Sequence, residues 1–400
     1  MHCQKLRSMN SETKKTLFPI LCLMFSTSLF AQGDAARVSA KLGDGFTIAT
    51  SDQKFSLNIK SNMALSTGFD LDDDGEITNS NFNIGKARLN LTGNLYGPKL
   101  TYSLQFGFAP ADTKLLPNGN SAIVRDAVIH FKPNSHWQIS FGQTKVKANR
   151  AQITSSQLLA FTGRTIVNDQ FHQDRDFGLF TEYSQSFMAA KASITSGEGR
   201  DYGPTKDSGL NYTGRLEFYP LGKFTNKGEF SEPDLEHEIS PKLMVAGAFT
   251  HNDRALRLQG TRGSLASDGT HNLNQYYADL AFKYQGFALQ ADFMGRNTSR
   301  PLIEGGQTIF KGYGYDAQAS YNFPSRKWTI AARYASLNPH KDIQAAVNYK
   351  HQQQVTAALT YHIVGHKLKA QLEASLYNRK QIVENPYTRW SFGAVLEVGI

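Results

Sequence analysis

A chain of 400 residues with 40% hydrophobic, 12% aromatic and 19% charged side chains can bury a sizeable core, and its formal charge of +9 favours acidic partners. Its mean hydropathy is negative, and no stretch approaches the ~20 apolar residues that a helix needs to span a bilayer, which excludes a helical membrane protein. Basic residues stand singly rather than in runs, which argues against nucleic acid.

At the N-terminus, Lys14 and Lys15 precede the apolar run Leu17–Phe25, then Ser26, Thr27, Ser28 and Ala31. This predicts a secretory signal peptide over 1–31, cleaved after Ala31. Cys22 does not make a lipoprotein site, because Leu23 and Met24 continue the apolar run. Both cysteines, Cys3 and Cys22, leave with the signal, so the mature chain has no disulfide, Cys-bound metal or thiol nucleophile. Losing Lys5, Arg7, Lys14, Lys15 and Glu12 leaves 39 basic and 33 acidic residues, net +6. A short lead, 32–53, follows.

From residue 54 a period of two dominates. Phe55, Leu57, Ile59, Met63, Leu65 and Phe69 alternate with Ser56, Asn58, Lys60, Asn62, Ser66 and Gly68, as on a strand with one greasy and one wet face. The same parity predicts strands at 54–69, 82–96, 99–109, 122–132, 136–146, 176–185, 187–196 and 210–220. A second set follows at 242–251, 274–285, 286–296, 312–323, 326–336, 353–363, 366–377 and 387–400. Short links at 97–98, 133–135, 185–186, 285–286, 324–326 and 364–366 alternate with long ones at 70–81, 110–121, 147–175, 197–209, 252–273, 297–311, 337–352 and 378–386. About sixteen strands with alternating short and long links read as an all-β, transmembrane antiparallel β-barrel over 54–400, with short periplasmic turns and long external loops folded partly into the pore. The link 221–241 breaks the rule, being long on the periplasmic side. A soluble two-sheet sandwich is the competing architecture.

Charge placement separates the two. A lipid-facing Lys or Arg at mid-membrane costs about 2–4 kcal/mol, and the charges mostly share the polar parity. Lys86 and Arg88 oppose Ala87 and Leu89, Arg215 opposes Leu216, and Arg333 opposes Tyr334. Arg125 and Lys145 are exceptions, which the sequence explains by snorkelling near the rim. On this parity the lumen carries Lys60, Lys86, Arg88, Lys99, Lys132, Lys191, Arg215, Lys283, Arg296, Arg333, Lys367, Lys369 and Arg389. Opposing them are Asp126, Glu182, Glu217, Asp279, Asp292, Asp316, Glu373 and Glu397. The cationic excess favours anions, although any single pair can simply brace the wall. The long link 147–175, with Lys147, Arg150, Arg164 and Arg175, is the expected constriction loop.

Other constellations compete. Asp70, Asp72, Asp74 and Gly75 reproduce the first half of a calcium loop, but Asn81 stands where the bidentate Glu belongs. That stretch reads as an acidic external turn, with no metal or cofactor. Some outer-membrane barrels are enzymes, yet His130, His172, His251 and His362 lack a recognisable catalytic companion and no Gly-x-Ser-x-Gly elbow occurs. A closed structural or adhesive barrel, or a non-selective general-diffusion porin, stays as an alternative.

Several phrases resemble the phosphate-selective porin O and P family over about residues 41–400. They are Lys41-Leu42-Gly43-Asp44-Gly45-Phe46, Gly85-Lys86-Ala87-Arg88-Leu89, Val124-Arg125-Asp126-Ala127, Gly142-Gln143-Thr144-Lys145-Val146, Arg175-Asp176-Phe177-Gly178, Gly214-Arg215-Leu216-Glu217-Phe218-Tyr219-Pro220 and Ala332-Arg333-Tyr334-Ala335. Lys147 stands where relatives often have proline, and Lys60-Ser61-Asn62 replaces an arginine-containing phrase. The resemblance implies a sixteen-stranded homotrimeric porin of the bacterial outer membrane, bathed in lipid, passing small anions such as phosphate or polyphosphate. It implies Lys86, Arg88, Arg215 and Arg333 as wall residues and Arg175 as the loop residue, with Lys60, Lys283, Arg296 and Arg389 as further pore-lining candidates by parity.

Overall fold

The computed structural model describes residues 37–115, 121–201, 207–382 and 387–400; the expected signal peptide lies outside them. Sixteen antiparallel strands close into a barrel, each paired with its sequence neighbours. Closure is made by the last strand, Tyr387–Gly399, against the first, Ser56–Leu71, in register from Trp390 opposite Leu71 to Gly399 opposite Asn62. The closure pairs what would otherwise be two open sheet edges, as a hydrocarbon surround requires. The lead is not featureless. Arg37–Lys41 and Gly45–Ala49 form a hairpin whose second strand pairs with the start of the first strand beyond the seam, with Phe46 opposite Ile59.

The alternation lies where the sequence puts it. Along Asn211–Phe218 the inner residues are buried and the outer ones exposed in strict turn. Leu216, Phe218, Phe249, Ile330, Leu359 and Leu372 stand exposed on the outside, the expected lipid face. Trp137 packs on Tyr183 at 4.9 Å and Trp328 on Tyr361 at 4.6 Å near the short-turn rim, a position suited to the membrane interface. The turn Gln285-Gly286 has positive φ at both residues, 47° and 89°, the backbone twist that a two-residue hairpin demands.

Two expectations need correction. The loop expected at 70–81 is a turn, because the first strand runs to Leu71 and the second begins at Ile77. The polar run 78–81 reads as loop but puts Asn79 and Asn81 opposite Asp70 and Gly68. Within the turn Asp72 Oδ1 accepts from the N–H groups of Asp74 (3.1 Å) and Glu76 (2.9 Å). No cluster suited to a metal ion occurs among the described residues. The second correction concerns Arg125 and Lys145, which do not snorkel outward. A register shift between Gln105 and Phe106 adds Arg125 as a bulge, so that its side chain joins Asp126 inside. Lys145 Nζ also turns inward, donating to the carbonyl of Gln152 at 2.7 Å.

The link 221–241 is a genuine insertion. It joins Asn211–Phe218 to Lys242–Ala255 at the short-turn end and folds into the lumen.

Candidate functional site

The link between Trp137–Lys145 and Arg175–Ser184 runs inside the barrel as two short helices, Arg150–Ile153 and Ile166–Phe171, around a 3-10 turn. Thr165 caps the second helix, its Oγ1 accepting from Asn168 N–H at 3.1 Å. Val167 and Phe171 then pack with Tyr277, Met294, Phe310, Ala335 and Leu337 in a buried apolar cluster. That cluster pins the loop to one side of the barrel.

Charged wall residues complete the docking. Arg215 donates to the carbonyl of Ala148 (3.1 Å), Lys86 to Ser156 (3.2 Å), Lys369 to Leu159 (2.8 Å), Arg333 to Gly163 (2.7 Å) and Arg296 to Gln170 (3.0 Å). Arg150, on the loop, meets Asp292 at 2.6 Å. Lys283 holds the carbonyl of Pro233 at 2.7 Å on the other inward segment. Arg215 is fully buried between Glu217 (2.7 Å) and Asp279 (2.6 Å), and Arg333 lies 3.6 Å from Glu373. Thus Arg215, Arg333, Lys283 and Arg296, expected to line the pore, sit behind inward segments and grip them. Arg389 meets Asp70 at 3.6 Å, and Lys60 lies beside the short-turn mouth.

The loop leaves the opposite wall largely uncovered, touching it through Lys86 and Arg88 at Ser156. There Ile77–Asn94 is exposed at its start and half-buried beyond Ile84, and Leu100–Gly107 is half-buried up to its last residue. A cavity of about 260 Å³ lies between this wall and the loop, lined by Arg88, Gln105, Arg125, Asp126, Thr144, Lys145, Lys147, Ser156, Arg164 and Arg175 among others. At about 30 Å³ per water it has room for roughly nine waters, or a small anion with part of its hydration shell.

Its charges are unevenly matched. Asp112, on the link after Leu100–Gly107, takes both Arg88 and Arg125 at 2.6 Å. Arg175 pairs with Asp126 (3.0 Å) and Asp174 (3.3 Å). Burial alone would raise the Asp174 carboxyl, but Arg175, then His172 and Arg125, hold it far below the usual carboxylate range. Lys145 and Arg164 have only carbonyl partners; Arg164 donates to Ala151 and Thr154 at 2.8 Å each. Half-buried Lys147 has no hydrogen bond or ion pair among the described residues. The cavity therefore keeps three basic side chains unmatched by carboxylate, Lys145, Lys147 and Arg164.

Of the expected site residues, this geometry brings together Arg88, Lys147, Arg164 and Arg175. Sequence reasoning missed Arg125 and Lys145, whose parity misleads, and Asp112, which carries no pattern at all. Among the histidines, His130 Nδ1 lies 2.8 Å from Ser140 Oγ, with Gln138 nearby.

The barrel is similar to several solved outer-membrane channels, at identities that show the fold alone. An anion-selective porin from Comamonas acidovorans matches with TM-score 0.58 and 10% identity, over 86% of this chain and 100% of that one. The outer membrane channel DcaP of Acinetobacter baumannii gives 0.56 and 11% over 88% and 99%. OmpT of Vibrio cholerae gives 0.53 and 10% over 86% and 98%. No curated protein matches the sequence. The sequence profile described as phosphate-selective porin O and P matches residues 57–395, and the chain belongs to that family of outer-membrane porins.

Proposed function

We propose that this porin passes small anions passively, phosphate and polyphosphate among them, through the basic cavity beside the uncovered wall. The observation that carries the reading is the unmatched trio Lys145, Lys147 and Arg164 facing open space, with Arg88 and Arg175 close by. A low-dielectric wall focuses the field of such a cluster and raises the local anion concentration. Guanidinium forks suit phosphate oxygens. No covalent chemistry is required, and assembly as a homotrimer in the outer membrane belongs to the same reading. A trimer form is described for OmpT of Vibrio cholerae.

A general anion porin is the second reading, and one observation favours it: Arg88, Arg125 and Arg175 are already engaged by Asp112, Asp126 and Asp174. Planar-bilayer recording distinguishes the readings. In a KCl gradient the reversal potential takes the sign of chloride permeation, and millimolar phosphate lowers the current. Cation preference overturns the anion reading. Chloride preference without phosphate block selects the general porin.

A further inference from the structure

The inward insertion 219–241 is not needed to close a barrel and takes no part in the cavity just described. It carries five carboxylates between Glu229 and Glu238 against only Lys223 and Lys227. Four of them, Glu229, Glu232, Asp234 and Glu238, are at most 5% exposed. Buried carboxylates on a connecting segment are costly unless something holds them.

Glu238 is held within the insertion by the N–H (2.6 Å) and hydroxyl (3.0 Å) of Thr225; further partners come from the barrel and from the other inward loop. Glu232 reaches furthest: its N–H donates to the carbonyl of Leu158 at 2.9 Å, and its carboxylate accepts from Ala160 N–H at 2.7 Å. Segments entering from opposite ends of the barrel thus meet inside it. The wall holds the insertion through Gln290 to the carbonyl of Ser231 (2.9 Å), Lys283 to Pro233 (2.7 Å) and Gly286 N–H to the Asp234 carboxylate (2.8 Å). Lys191 Nζ lies 4.6 Å over the Phe230 ring. Glu229 Oε2 is buried without a hydrogen-bond partner among the described residues.

The insertion also divides the short-turn mouth. On one side, Leu235 and Glu236 border a cavity of about 780 Å³ with Lys60, Lys327 and Lys367. On the other, Phe224, Glu229 and Phe230 border one of about 500 Å³ with Lys132 and Lys191.

We propose that residues 219–241 form a tethered acidic plug at the periplasmic mouth: their bulk splits the opening in two, and their carboxylates offset lysines that a passing anion would otherwise meet. The inference rests on the anion-channel reading and sharpens it, making the insertion a determinant of conductance and selectivity. An acidic strap placed among Lys191, Lys283 and Lys369 lowers the positive potential of the inner mouth, leaving the strongest attraction in the upper cavity. Such a device favours release of the anion on the periplasmic side, since conduction needs weak binding at the far end.

The test uses the full chain in planar bilayers. In one variant, residues 226–237 are replaced by Gly-Ser-Gly; in a second, Glu229→Gln and Glu232→Gln are combined, since an amide oxygen still accepts from Ala160. Folding is checked by heat-modifiable gel mobility. The shortened variant is expected to conduct at least about twofold more than wild type, and the double variant to raise the chloride-to-potassium permeability ratio about twofold with little change in conductance. A folded shortened variant with wild-type conductance overturns the plug. If that variant fails to fold, an unchanged permeability ratio in the double variant overturns it. Cation preference in wild type defeats the anion reading separately, and leaves the conductance arm to judge the plug.

Discussion

The two sides of the barrel interior use the same residue types to opposite ends. On the covered side, Arg215, Arg333, Arg296, Lys283 and Lys369 are buried and grip carbonyls of segments that run past them. On the uncovered side, Lys147 is half-buried beside open space with no partner among the described residues, and Arg88 keeps 16% of its side chain exposed. Arg88 and the covered-side cations are polar-parity positions of the barrel, whereas Lys147 stands at the start of the inward loop. The difference is the inward loop, whose apolar helix commits it to one wall and so turns that wall's cations into clamps. A guanidinium with two carboxylates and a carbonyl around it has little left to offer a passing anion.

The largest expected effect lies on the covered side. Arg215→Ala leaves Asp279 buried without its charge partner and Glu217 with Lys191 and Tyr219 alone, at a cost of about 3–5 kcal/mol. The midpoint of heat-modifiable unfolding should fall markedly, and the loosened loop should raise channel noise. A variant as stable as wild type with altered selectivity would erase the distinction between clamp and filter.

On the uncovered side the order reverses. Lys147→Gln should leave the unfolding midpoint within about 0.5 kcal/mol of wild type, as expected for a partly exposed unpaired site. The same variant should reduce the chloride-to-potassium permeability ratio about two- to threefold at low salt, less at high salt where the charge is screened. Asp112→Asn frees Arg88 and Arg125 and should move the ratio the other way. If the two substitutions shift reversal potential in the same direction, the cavity is not the filter.

The smallest effect concerns pH. Burial, with Arg262 nearby, pushes His172 at the end of the loop's second helix down to about 3. An undocked loop would titrate near 6.5, so it binds more protons than the docked one between those values. Docking is then fully favoured above about 6.5 and weakens as pH falls toward 3. Conductance fluctuations should increase between pH 6 and about 4, and His172→Gln should suppress the change.

Much of this molecule is legible in its sequence for a simple reason: a side-chain period of two survives without knowledge of any partner. Ser56–Leu71, Asn211–Phe218 and the closing strand could be read directly, with the short turns between most hairpins and the long inward loop. Parity failed at Arg125, because a single bulge residue inverts the face of what precedes it. It also read the asparagine run after Gly75 as loop, because polar residues on both sides of a strand resemble a turn. Membership of the basic lumen was likewise local information. Which lumen cations stay free was not, since that depends on contacts such as Arg333 to Gly163 and Glu232 to Ala160, separated by 170 and 72 residues. Alternation determines the barrel and the side to which charge turns; the docking of two long segments, decided only in three dimensions, determines which of those charges stay open to the lumen.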